Sequence, residues 1–145
     1  MSRRKKIAFC LFFVIGVVVL FLIYPRGSLE IQIVSSKTLF QKGEVAHFEF
    51  CLFYKSNLFV PSVTIPSLNH DVVITGPGGP VYAKRVFVHT KAPITIGMIP
   101  EKIGELDWNL CDVSGRPVRA GVYTIKVSLM DWNLFGEVSV EIVDY

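Results

Sequence analysis

The longest apolar stretch of the chain lies near its N-terminus and carries no charge. Residues 7–24 are all uncharged, and the last four residues of segment 1–6, directly before them, are basic. As a helix this stretch would rise about 27 Å, close to the roughly 30 Å hydrocarbon core of a bilayer. Because basic residues resist translocation, the pattern predicts a membrane helix with residues 1–6 in the cytoplasm and the rest of the chain outside.

Two interpretations of this segment compete, a retained anchor and a cleavable secretory signal. A secretory signal has a shorter apolar core that ends at small residues. Here the run ends through Tyr24, Pro25 and Arg26, which are bulky or charged. An aromatic ring at headgroup depth followed by a charge is typical of an anchor. The sequence therefore favours a signal anchor with Tyr24 and Arg26 at the membrane interface. A hinge over residues 25–28 would join this anchor to residues 29–145.

From residue 29 onward no stretch keeps a helical period. Short β-branched and aromatic runs alternate with turn residues instead, as in β-proteins. The clearest run is 45–54, where every second residue is apolar. Strands are predicted at 29–35, 45–54, 59–65, 72–75, 81–90, 94–98, 105–110, 122–130 and 135–143. Since helical crossovers are missing from the pattern, we expect antiparallel pairing, and residues 29–145 are predicted to form one all-β, antiparallel β-sandwich.

The distribution of charge excludes a nucleic-acid-binding class. The whole chain is formally +3, but residues 1–27 hold five basic residues and no acidic one. Residues 28–145 hold ten basic and twelve acidic residues, so that part is slightly acidic and mixed in sign. Phosphate binding needs a basic patch or stripe. The excess of basic residues near the N-terminus therefore indicates how the chain is oriented in a membrane, not a nucleic-acid-binding surface.

A motif in the C-terminal third supports the sandwich. Residues 108–127 read W-x-L-x-D-x-x-G-x-P-V-x-x-G-x-Y-x-I-x-V. This pattern resembles the end of Ig-like extracytoplasmic domains, including those of the bacterial intracellular-proteinase-inhibitor and flagellar-hook-cap types. The resemblance implies an inward Trp108, a glycine turn and a core strand opened at Tyr123. The residues agree independently, because Gly115 can adopt positive φ in a turn and an alternating apolar face follows Tyr123.

The general plan also resembles that of archaellum stator subunits, which have one N-terminal membrane helix followed by a β-sandwich that grips the surface layer. No diagnostic motif accompanies this resemblance. It implies an alternative function as an archaellum or S-layer anchoring subunit.

Metal chemistry is the sharpest alternative to a binding function. A blue-copper site needs two histidines, a cysteine and usually a methionine, but His47, His70 and His89 all precede Cys111 and none follows it. The three histidines could still gather around zinc, which needs three or four ligands. The simpler interpretation is three solvated or hydrogen-bonded surface histidines, so no metal and no cofactor is predicted. A membrane-tethered metal or redox domain, similar to cupredoxins, stays as an alternative.

Catalytic signals are weak. The chain has no G-x-S-x-G elbow, and neither Cys51 nor Cys111 has a histidine nearby in the sequence. Glu101, Glu105 and Asp107 beside Trp108 hint at a sugar-binding cleft. The alternative is an ordinary strand whose acidic residues project outward while its apolar residues face the core. We therefore predict that the protein is not an enzyme.

A disulfide between Cys51 and Cys111 is left open by the sequence. An oxidising compartment would permit it. Strand parity places both side chains away from the core, and such a pair can bridge only across neighbouring strands with Cα atoms within about 7 Å.

Three apolar residues are candidates for contact with a partner. Trp132 and Leu134 lie where the alternation breaks at a hairpin, and Phe59 lies in a second apolar segment. Trp132 either folds back to cap the core or is an exposed aromatic anchor of the kind enriched at interfaces. The sequence thus favours a membrane-anchored extracytoplasmic binding module, an accessory or structural subunit of a membrane or cell-surface complex with a protein partner. It does not name that partner.

Overall fold

The computed structural model describes residues 14–15, 27–55, 61–88 and 93–144. Ten strands are present in this part of the chain. They are β1 (Ser28–Ser35), β2 (Leu39–Gln41), β3 (Ala46–Lys55), β4 (Val63–Ile65), β5 (His70–Gly76), β6 (Gly79–Val86), β7 (Ile94–Ile96), β8 (Glu101–Trp108), β9 (Gly121–Leu129) and β10 (Leu134–Val143).

Two main sheets face each other across one core. The smaller has the order β1-β3-β8, the larger has the order β2-β10-β9-β5-β6, and β4 pairs with β7 in a separate small ribbon. Three ring pairs join the two main sheets, with centroid distances of 6.3 Å for Phe40–Phe48, 6.1 Å for Phe50–His70 and 5.4 Å for Trp108–Tyr123. The predicted all-β class and the layered sandwich are therefore confirmed.

The alternation of β3 is also confirmed. Its even-numbered residues point into the core and are at most 7% exposed, whereas its odd-numbered residues lie on the outer face. The buried set comprises Ala46, Phe48, Phe50, Leu52 and Tyr54. Because a one-residue slip would turn this set to solvent, the pattern fixes which face of the strand is buried.

The expectation of purely antiparallel pairing is wrong at one place. β2 was not predicted, and it pairs in parallel with β10 through Leu39–Glu141 and Phe40–Ile142. The chain crosses from the smaller sheet to the larger between β1 and β2 without reversing its direction. It therefore meets the end of β10 in parallel, with Glu141 N donating to Thr38 O at 2.8 Å.

Two strand boundaries differ from the prediction for identifiable reasons. β8 begins at Glu101, earlier than predicted, and ends at Trp108. Leu110 then has φ of 56°, a left-handed conformation that stops a strand. Ser28, predicted to lie in the hinge, already belongs to β1 and pairs with Lys55.

The sandwich has two ends, which we call the base and the top. The base carries Gly27, Lys55 and the hairpin turn 130–133, because the starts of β1 and β10 lie together where Gly136 approaches Ile31. The top carries the loop 109–120 and the β5–β6 turn, which meet beside Tyr123.

Within the described residues, no helix is long and apolar enough to cross a membrane. The predicted membrane helix, the basic tail and the interfacial residues Tyr24 and Arg26 lie outside the described residues, apart from Val14 and Ile15, which are helical.

Candidate functional site

A row of ionisable side chains crosses the outer face of the smaller sheet. His47 and Glu49 occupy outer positions of β3, and β8 brings Asp107 opposite His47 and Glu105 opposite Glu49. These four positions follow from strand alternation and from the β3–β8 register. Two carboxylates directly opposite each other on neighbouring strands repel and would destabilise the sheet if nothing compensated them.

A β-bulge supplies the compensating charge. The register shifts between Phe50 and Cys51, so that Gly104 lies opposite Phe50 while Lys102 lies opposite Cys51. Ile103 is the extra residue, and its side chain is turned into the core. The bulge therefore inverts the parity of β8 and places Lys102 on the outer face, as bulges do when they redirect a side chain.

Lys102 joins the two facing carboxylates. Its Nζ donates to Glu49 Oε1 at 2.9 Å and to Glu105 Oε2 at 2.5 Å. These hydrogen bonds raise the pKa of Lys102, with Glu105 the largest cause, and the bond from Lys102 is the largest cause that lowers the pKa of Glu49. We call His47, Glu49, Lys102, Glu105 and Asp107 the outer polar row.

Asp107 holds the imidazole at the end of this row. Asp107 Oδ1 lies 2.6 Å from His47 Nδ1, and this hydrogen bond is the largest cause of the raised pKa of His47. The other ring nitrogen, Nε2, faces Glu49 Oε1 at 3.7 Å. Both neighbours favour the protonated imidazolium.

The row has the composition of a cation site but already contains its own cation. Ligand atoms of His47, Glu49 and Glu105 all lie within 4.8 Å of one another, and a carboxylate on the second nitrogen of a histidine is typical of metal sites. The Lys102 ammonium, however, already bonds to the carboxylates of both Glu49 and Glu105. We therefore interpret the row as an ion network in which Lys102 partly compensates the carboxylates.

The structure separates the three histidines that the sequence considered for zinc. His47 lies in the outer polar row, His89 lies outside the described residues, and His70 is 1% exposed within the core. The expectation of a surface position for His70 is wrong. Its Nδ1 lies 2.8 Å from Leu68 O, and the missing side chain of Gly104 leaves room for the ring, since a Cβ there would lie 3.0 Å from Nε2.

The possible disulfide is not formed. Cys51 and Cys111 are both free thiols. Cys51 lies opposite Lys102. Cys111 follows the other end of β8 and forms an isolated backbone β-bridge with Pro117 at the top. The six steps along β8 from Lys102 to Trp108 span roughly 20 Å, which greatly exceeds the Cα–Cα distance that a disulfide can bridge. Burial is the largest cause that raises the pKa of the Cys51 thiol, which disfavours the reactive thiolate.

Trp132 and Leu134 pack against the core. Both are partly buried, and Leu134 opens β10 opposite Leu129. The indole Nε1 of Trp132 is buried and has no hydrogen-bond partner among the described residues. Trp132 therefore packs on the core, while Trp132 and Leu134 each keep part of their surface exposed and stay candidates for contact with a partner. Phe59, the third candidate, lies outside the described residues.

The acidic run does not form a sugar-binding cleft. The Trp108 ring is 2% exposed, packs on Tyr123, and uses its Nε1 to donate to Cys111 O at 2.8 Å. A ring buried in this way offers no face to a ligand. The interpretation of Glu105 and Asp107 as outward residues of an alternating strand is confirmed.

A shallow cleft of about 530 Å³ opens at the top of the sandwich. Its charged residues are Asp112, Arg116 and Arg119, and Asp112 accepts from Arg116 Nε at 3.2 Å. The Tyr123 hydroxyl donates to Arg119 O at 2.8 Å, which closes one wall. Among the described residues, no serine, cysteine or histidine lines this cleft, so it shows no serine or cysteine nucleophile paired with a histidine base.

The raised pKa of His47 gives a testable pH dependence. Because the folded state raises this pKa, protonation of His47 stabilises the fold fully below about pH 6.5, the ordinary histidine value, and this contribution is lost as pH rises through the folded pKa. We expect Asp107→Asn to lower the pKa of His47, measured by NMR titration of the full chain in detergent micelles. Glu137→Gln, at an exposed position of β10, is the matched control; an unchanged pKa in Asp107→Asn would contradict the assignment.

No protein-family model and no curated protein matches the chain. Among solved structures it is similar to the CARDB domain of the PF1109 protein from Pyrococcus furiosus, described in complex with di-metal ions. That likeness has 13% identity and a TM-score of 0.43 over 83% of this chain and 91% of that one. The Pseudomonas fluorescens alkylpurine DNA glycosylase AlkC gives 16% and 0.49, over 79% of this chain and 30% of that one.

Spo0M, a sporulation control protein from Bacillus subtilis, gives 8% identity and a TM-score of 0.42, over 81% of this chain and 50% of that one. The chain thus spans half or less of AlkC and of Spo0M. At these sequence identities and TM-scores, the similarities support no conclusion about what this chain binds or does.

Proposed function

We propose that the protein is a membrane-anchored binding module whose β-sandwich lies outside the cytoplasm and acts through contacts with a protein of the membrane or cell envelope. In this proposal residues 7–24 are a retained helical anchor, residues 1–6 stay inside, and the sandwich is an accessory or structural subunit of a larger complex.

The uncharged run supports the proposal most directly. It has the length of a bilayer span, follows four basic residues and ends three residues before Gly27, where the described domain begins. The all-β architecture adds to this, because a rigid sandwich of this size has its own core and presents loops at two ends.

The chemistry of the described surface favours binding over catalysis. Among the described residues, Lys102 bonds to the two facing carboxylates of the outer polar row, the cleft at the top has no serine or cysteine nucleophile, and Cys51 and Cys111 are free thiols. This arrangement does not support the alternative function as a membrane-tethered metal or redox domain. The alternative role in an archaellum or S-layer is supported only by the predicted order of a membrane helix followed by a β-sandwich.

Membrane insertion is tested with a C-terminal alkaline phosphatase fusion, which folds into active enzyme only outside the cytoplasm. We expect active phosphatase, retention of the chain in membranes after alkaline carbonate washing, and a mature protein that still contains residues 1–24. Replacing residues 3–6 by acidic residues is the matched control and should reduce phosphatase activity, because the charge bias sets orientation.

Inactive phosphatase, release by carbonate, or a mature N-terminus beyond Tyr24 would each contradict the anchored topology. Binding is tested separately by cross-linking in intact membranes. If the correctly inserted sandwich cross-links to no protein there, the result would contradict the proposed protein partner but not the proposed membrane anchor.

A further inference from the structure

The base of the sandwich presents a short apolar tip between β7 and β8. Ile99 is 83% exposed, the highest fraction of any large hydrophobic side chain described, and neighbouring Met98 is 64% exposed. Isolated exposed apolar residues are ordinary on protein surfaces. Met98 and Ile99 are of interest because they lie at the same end of the domain as Gly27, its first described residue.

The tip and the start of the domain share one end of the smaller sheet. Tyr54 N donates to Gly97 O at 2.7 Å, and Tyr54 pairs with Leu29 of β1. The Tyr54 ring also covers Gly27 so closely that a Cβ at Gly27 would lie 2.0 Å from its hydroxyl oxygen. Gly27 is therefore packed against the same tyrosine whose backbone holds the 97–100 turn.

The length of chain before Gly27 limits how far this end can be from the bilayer. Two residues, Pro25 and Arg26, separate Tyr24 from Gly27, and the three Cα–Cα steps between them reach at most about 10 Å. Because Gly27 is packed against the sandwich, no further slack is available on the domain side. A base held this near to the headgroups brings its own protruding side chains to the interface.

Charge at the base is compatible with a lipid surface. Lys55 is the next residue after Tyr54, and its side chain is 72% exposed, so its ammonium can reach lipid phosphates while Glu30 lies 3.8 Å away. Glu101, also exposed, follows the tip and limits how deeply it can enter. Met98 and Ile99 thus suit shallow insertion.

We propose that the base rests on the outer leaflet and that Met98 and Ile99 insert into its interfacial region. The inference rests on the proposed anchor, because the anchor supplies the high local concentration that makes so small a contact effective. Its consequence is a fixed orientation of the sandwich, with the cleft at the top turned away from the membrane.

The test compares tryptophans placed at the two ends of the full chain in phosphatidylcholine vesicles, with and without bromine on the acyl chains. Ile99→Trp probes the tip, and Val113→Trp, at a residue that is 78% exposed in the loop at the top, is the matched control. Wild-type emission from Trp108 and Trp132 is subtracted. Since interfacial apolar groups lie about 5–10 Å into the headgroup and acyl boundary, quenching should be roughly twofold or more greater at position 99 than at 113.

Equal, weak quenching at both positions in protein that floats with the vesicles would overturn the lipid contact while leaving the anchor intact. Protein that fails to float would overturn the anchor and the contact together. A photo-reactive residue at position 99 that cross-links to a protein rather than to lipid in native membranes would also overturn the proposal, by assigning the tip to a partner.

Discussion

Replacing Trp108 by alanine is expected to lower the free energy of unfolding by about 3–5 kcal/mol, the usual cost of removing a large buried aromatic side chain. Trp108 is 2% exposed and packs on Tyr123 of the opposite sheet, so the cavity would open between the two layers. The Cys111 carbonyl would also lose its indole donor. Single domains are stable by only about 5–15 kcal/mol, so the loss is a large fraction of the total.

The measurement is urea unfolding of the full chain in detergent micelles, followed by the β-sheet circular dichroism signal. Phe135→Ala is the matched control, because Phe135 is 53% exposed on β10 and should change the midpoint little. Trp108→Phe should lie between the two, since it keeps the ring contact but not the hydrogen bond. A Trp108→Ala midpoint equal to that of Phe135→Ala would show that the ring does not join the sheets.

The features predicted correctly from the sequence are those set by neighbours along the chain. The alternation of β3 depends only on local period, and Gly115 adopts φ of 77° in the turn where a flexible residue was expected. The inward positions of Trp108 and Tyr123 follow from the same alternation on β8 and β9. Such signals are local, because a strand's period decides which of its residues face the core.

The features that were missed depend on pairing between distant segments. No local pattern in residues 38–41 predicts that the chain crosses between the sheets here, or that β2 pairs in parallel with β10, about a hundred residues later. The burial of His70 depends on the absent side chain of Gly104, which lies on a strand that is not its hydrogen-bonded neighbour. A glycine within a strand pattern often marks a bulge or a close approach, and here it marks both.

The outer polar row shows the same division. Outward positions for His47, Glu49, Glu105 and Asp107 could be assigned from each strand alone. That they form pairs depends on the β3–β8 register, and the role of Lys102 depends on a bulge that reverses the parity of β8. The candidate residues were therefore predictable one by one, whereas the hydrogen-bond network that joins them was not.

Replacing Gly136 by alanine should also destabilise the sandwich strongly, by about 1–3 kcal/mol as for overpacked cores. A Cβ at this position would lie 2.6 Å from the backbone oxygen of Ile31 and 2.9 Å from its Cγ2. Because the nearest atom belongs to the backbone of β1, a side-chain rotation does not relieve the contact, and β1 would have to move away from β10. The joint between the two sheets at the base would then open.

Gly78→Ala is the matched control, since a Cβ there meets nothing within 4 Å. Urea unfolding compares the two variants, and amide hydrogen exchange locates the damage. We expect faster exchange in β1 of Gly136→Ala, and no change in Gly78→Ala. If Gly136→Ala unfolds at the same urea concentration as Gly78→Ala, the close approach of β1 to β10 is not a feature of the folded protein.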